Sequence, residues 1–170
     1  MPKTLVPALA ALFASLCAWA ADHPVVARLL AENEPPPGVV FEIVTADPQA
    51  LAWAVPQVSD YARRLRARFP DLPLAVVSHG REMFALTREG RATASEVHGG
   101  IERLSRVEGI PVHVCETYAG WRGVGAEAFP DYVSVSAAGP AQVNDYRALG
   151  YVLVRITGPA PRGGPPDRVE

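Results

Sequence analysis

The residues able to do chemistry in this chain stand just after short apolar runs. Cys115 closes the run at residues 110–115, and His79, Gly80 and Arg81 follow the run at 73–78. Asp47 follows residues 39–45, and residues 136–139 follow the run at 132–135. A thiolate is a strong nucleophile, and its pKa falls beside a cation or a helix N-terminus. Arg122, with Gly120, Gly123 and Gly125 around it, lies shortly after Cys115 and supplies such a cation. Two readings fit the thiol: a reactive nucleophile supported by Arg122, or a small buried hydrophobe, as free cysteines often are. Its place at a strand end, in a chain expected to be exported, favours the first. His79 adjoins a glycine that lets backbone approach a ligand, so it can polarise a substrate or hold Cys115 as a thiolate if the two strand ends are neighbours. Its alternative is a turn histidine bonded to backbone. His113 reads as a core histidine on a buried strand, and His98 as the edge of an apolar helical face.

Several other chemistries lack their residues. His79, His98, His113 and Cys115 are zinc-compatible in type, but His113-x-Cys115 matches no tight metal motif and the rest are scattered, so no metal is expected. Ser78-His79 is not a hydrolase pair, because neighbours on a strand point opposite ways and no G-x-S-x-G elbow exists. Gly120, Gly123 and Gly125 form no dinucleotide fingerprint. Lys3 is the sole lysine of the chain, which removes Schiff-base chemistry, pyridoxal phosphate attachment and the phosphate-loop lysine once an export signal is cut away. No cofactor is expected. A formal charge of -2 leaves no broad basic surface, so a nucleic-acid partner has no support.

Residues 1–20 read as that signal: Lys3, an apolar run over 5–16, and Ala18-Trp19-Ala20 with small residues before a cut. The run is too short for a bilayer span and no later stretch approaches the length needed, so no membrane span is expected and the protein is read as periplasmic or secreted. Cleavage would leave Cys115 as the one thiol, since the other cysteine is Cys17. With 49% hydrophobic and 20% charged residues the remainder suits one domain with a proper core. Residues 21–38 read as an arm or linker with a short amphipathic helix stopped by Pro35-Pro36-Pro37-Gly38, and residues 157–170 as a disordered Pro/Gly-rich tail.

Between them, residues 39–156 must position the candidates. Residues 39–45 form a nearly continuous β-branched run, the mark of a strand covered on both faces. Asp47-Pro48 is expected to cap a helix whose apolar positions include Leu51, Val55, Val58, Leu65 and Phe69, with Pro56 kinking or dividing it. The arginines at 63, 64, 66 and 68 read as its solvated end. A short helix is expected over 81–86, and Thr93 with Glu96 suggests a capping box for a helix carrying Val97, Ile101 and Leu104, stopped at Gly109. Strands over 110–115, 132–135 and 151–156 complete the pattern, with a helix through Ala141, Val143 and Tyr146 before the last. Strands separated by helices in this way predict a three-layer α/β fold around a mainly parallel five-stranded sheet. The candidates named above then fall at the carboxyl edge, where such sheets bind ligands.

The stretch Leu74-Ala75-Val76-Val77-Ser78-His79-Gly80, then Gly109 through Thr117 (GIPVHVCET), Arg122-Gly123-Val124, Ala138-Gly139-Pro140-Ala141-Gln142-Val143 and Leu149-Gly150-Tyr151 together resemble the DsrE/DsrF-like family, including its YchN-like branch. The resemblance spans about residues 39–156. It implies a three-layer fold, assembly into trimers or hexamers, and, in the sulfur-relay members, a cysteine that carries persulfide sulfur. That cysteine ends the strand before an Arg-Gly pair, which here is Cys115 before Arg122-Gly123. His79-Gly80 corresponds to a His-Gly pair of the YchN-like branch. Sulfur donors and acceptors, small or protein, are the partners implied. The rival reading is a small-ligand-binding or assembly protein on the same fold.

Overall fold

The computed structural model describes residues 23–158, so the expected export signal and nearly all of the expected tail lie outside the described residues. Its centre is Val39–Ile43 (β1), buried at all five positions, which is why that sequence is a continuous run and not an alternation. Leu74–Ser78 (β2) is equally buried. With Val112–Cys115 (β3), Ser134–Ser136 (β4) and Val152–Ile156 (β5) they make one sheet in the order β4-β3-β2-β1-β5. Every neighbouring pair is parallel. This is the expected three-layer α/β architecture.

The two faces are covered unequally. Pro24–Ala31 (α1), Leu51–Arg68 (α2) and Ser95–Glu102 (α3) pack on one side, where Val39, Phe41, Ile43, Leu74, Val76, Val112 and Val114 join the main core. The other side carries Gly139–Ala148 (α5), over a smaller cluster of Val40, Ala75, Val77 and Val143. Side chains alternate across a strand, so Glu42 and His113 share the α5 face with Val40 and Val77.

Several local expectations are corrected. The segment read as an arm holds α1, whose Val26 and Leu29 are buried in the main core, so its apolar stripe is used within the domain. Asp47-Pro48 opens a turn, with Asp47 Oδ1 accepting from Gln49 N at 2.9 Å, and α2 starts three residues later at Leu51. α2 then runs unbroken through Pro56. The one backbone bond that proline forgoes would fall on the Ala52 carbonyl; Ala52 and Pro56 are both exposed, so water can replace it. The Thr93/Glu96 capping box is absent, because α3 starts at Ser95 and Thr93 Oγ1 donates back to Gly90 O at 3.1 Å. α3 continues into a wider π turn, Arg103–Val107, before Gly109 stops it with φ 63°. β3 starts at Val112 because Pro111 has no N–H to enter the ladder; its carbonyl accepts from Val76 N at 2.9 Å. β4 is a short edge strand, and Tyr132 and Val133 belong to the turn before it. Among the described residues no helix is long and apolar enough to cross a membrane.

Candidate functional site

At the carboxyl edge of the sheet the segments after β1 and β2 keep pairing beyond the strands. His79 N donates to Ile43 O at 3.1 Å and Arg81 N to Thr45 O at 2.8 Å. Glu82, fully buried in the 3-10 turn Arg81–Leu86, locks this junction. Its carboxylate accepts from Thr45 N at 3.0 Å and from Ser78 Oγ and Gly80 N, each at 2.9 Å. Gly80 is needed for that closeness: a Cβ there would strike the Thr45 backbone and the Glu82 carboxylate. Its part is therefore conformational.

Cys115 is the last residue of β3 and the N-cap of Glu116–Trp121 (α4), so a helix follows it directly. Its Sγ accepts from Tyr118 N at 3.3 Å. The side chain is 4% exposed and packs in the main core with Ala119. The start of α4 is pinned to the end of β4 by Thr117, whose N–H and hydroxyl both donate to Ala137 O, at 3.1 and 2.6 Å. Its end is closed by Gly123 at φ 71°, with Val124 N donating to Ala119 O at 3.0 Å and Gly123 N to Gly120 O at 2.9 Å. That left-handed stop places Arg122 at the C-cap, its guanidinium 5.8 Å from the centre of the Tyr118 ring. Gly123 thus shapes the turn that presents Arg122. Tyr118 also meets Phe84 at 5.5 Å and Trp121 at 6.1 Å between ring centres, and Trp121 is 77% exposed.

His79 does not join Cys115. Its Nε2 donates to Glu42 Oε1 at 3.0 Å, and Arg155 Nε donates to Glu42 Oε2 at 2.7 Å. Burial pushes the Glu42 carboxyl up, but the hydrogen bonds from Arg155 and His79 outweigh it and hold the group below its ordinary value. Glycine at 139, the first residue of α5, lets that helix sit directly on His79, because a Cβ there would strike the imidazole. A second polar chain binds β3, β4 and α5. Ser136 Oγ donates to Gln142 Oε1 at 2.9 Å, so it accepts from His113 Nδ1 at 3.0 Å, and His113 Nε2 accepts from the Tyr146 hydroxyl at 2.9 Å. Burial lowers the pKa of His113 and raises that of Tyr146. His98, read from the sequence as the edge of an apolar helical face, is instead buried in the core, bonded to Tyr132 and, at 2.9 Å, to Ala85 O.

Of the sequence candidates, Cys115 and Arg122 stand at opposite ends of α4, the one bonded to the Tyr118 N–H and the other over the Tyr118 ring, and His79 with Gly80 forms a separate unit on Glu42 and Glu82. The partners that sequence reasoning missed are Glu42, Glu82 and Arg155. Glu42 left a signal: a charge inside a five-residue buried strand needs partners.

No protein-family model and no curated protein matches the chain. Among solved structures, the chain is similar to a protein of unknown function, MTH1491 from Methanobacterium thermoautotrophicum, at 21% identity with a TM-score of 0.56, over 69% of this chain and 97% of that one. That likeness shows a shared fold.

Proposed function

We propose that the protein is an exported sulfur carrier of the DsrE/DsrF-like kind, in which Cys115 accepts sulfane sulfur as a persulfide and passes it on. The observation that carries this reading is the place of Cys115, at the end of β3 with its sulfur on the Tyr118 N–H. In the proposed step the Cys115 thiol first gives its proton to solvent. The thiolate then attacks the outer sulfur of a persulfide or of thiosulfate; the new S–S bond forms as the old one breaks, and a thiolate or sulfite leaves. No net oxidant or reductant is consumed. With Cys115 as the one thiol left after signal removal, the sulfur must pass to another molecule. The resemblance supports work as a homo-oligomer, a trimer or hexamer.

The burial of Cys115 favours a second reading, an inert core cysteine in a small-ligand-binding or assembly protein. Alkylation by iodoacetamide separates the two. A carrier reacts in the folded state at a rate comparable to that in urea, whereas an inert cysteine is protected by several orders of magnitude and reacts only on unfolding.

A further inference from the structure

Beside the α4 aromatics a cavity of about 340 Å³ opens between Pro48, Arg81, Phe84 and Arg122. We propose that it binds a small organic anion, its charge held by the two guanidinium groups and its body lying against the Phe84 ring. The site stands independently of sulfur transfer. Arg81 comes from the segment after β2 and Arg122 from the end of α4, so two distant parts of the chain bring like charges to one opening. Neither is ion-paired among the described residues, and no carboxylate lines the opening beside them. Two cations facing one cavity without a counter-charge are the arrangement that an anion stabilises, and the planar guanidinium fork matches carboxylate and phosphate oxygens.

The presentation of both residues is fixed by backbone. Arg81 N is tied to Thr45 O, and the adjoining Glu82 carboxylate locks that junction. Arg122 is set by the left-handed stop at Gly123. The volume and the ring argue for an organic ligand: the cavity is at the small end of ligand pockets, yet it exceeds what an inorganic oxyanion fills. Phe84 is itself braced by the Tyr118 ring, tilted at 59° to it.

The test is a calorimetric or NMR titration of the folded protein at constant ionic strength with phenyl phosphate, inorganic phosphate and neutral benzyl alcohol. Phenyl phosphate is expected to bind saturably at one site, with inorganic phosphate about tenfold weaker and benzyl alcohol not saturating. Arg81→Gln and Arg122→Gln should each weaken phenyl phosphate about tenfold, the effect of losing one charge-assisted contact. Phe84→Leu should bring it toward inorganic phosphate. Arg147→Gln, the same charge change on the exposed side of α5, should leave it unchanged; all variants are compared at equal helicity. Absence of saturable binding would overturn the proposal. So would equal losses in Arg147→Gln and Arg81→Gln, or inorganic phosphate binding as tightly as phenyl phosphate.

Discussion

Glu82 shows how much one side chain can decide. It is fully buried, and three donors from two different segments converge on it. In Glu82→Gln an amide N–H replaces one acceptor and faces a backbone N–H, leaving buried donors unpaired. The expected loss is about 2–3 kcal/mol, read as a lower urea midpoint at unchanged slope. His113 supplies the pH dependence. Burial lowers its pKa below the ordinary 6.5, so just below that pH the unfolded chain binds the proton and the folded chain does not. Stability therefore rises with pH across this window and is lost as pH falls below 6.5 toward the folded value. Urea midpoints measured down from neutral pH should show that slope, and His113→Gln should flatten it. Glu42 acts lower on the scale. Its pKa is held below 4.5, so the stability it contributes is present above that pH and lost as pH falls through the folded value.

At the scale of elements, the two glycines near the site act by different physics. Gly123 has a left-handed φ and open space where a Cβ would be, so Gly123→Ala should cost only the backbone strain, about 1 kcal/mol. Gly80 has ordinary extended backbone but no room, so Gly80→Ala must part Thr45 from Glu82 and should cost about 3 kcal/mol. Thermal melts of the two variants side by side test that ranking. The strands were legible because burial on both faces writes itself as an apolar run, as in β1 and β2. Helix starts were less so: Asp47-Pro48 and Thr93/Glu96 have the residues of caps, yet Asp47 and Thr93 each serve a turn just before the helix. Cap chemistry and turn chemistry use the same side chains, so sequence alone cannot separate them.

For the whole molecule, the parallel sheet and its carboxyl edge follow from the order of elements, but the neighbours across the sheet do not. β5 returns beside β1, which sets Arg155 on Glu42 across 113 positions of chain. Nothing local in the sequence pairs those two residues. The same topology gives His79 to Glu42 and leaves Cys115 with Tyr118, although the ends of β2 and β3 are adjacent. The function proposed rests on Cys115 being open to exchange from its place under α4. The most direct measurement is the intact mass of the folded protein lacking residues 1–20, after incubation with polysulfide, beside a Cys115→Ser variant. The account predicts a gain of whole sulfur atoms, mapped to Cys115, removed by a reducing thiol and absent from the variant. A folded protein that gains no sulfur, or a variant that gains as much, would contradict it.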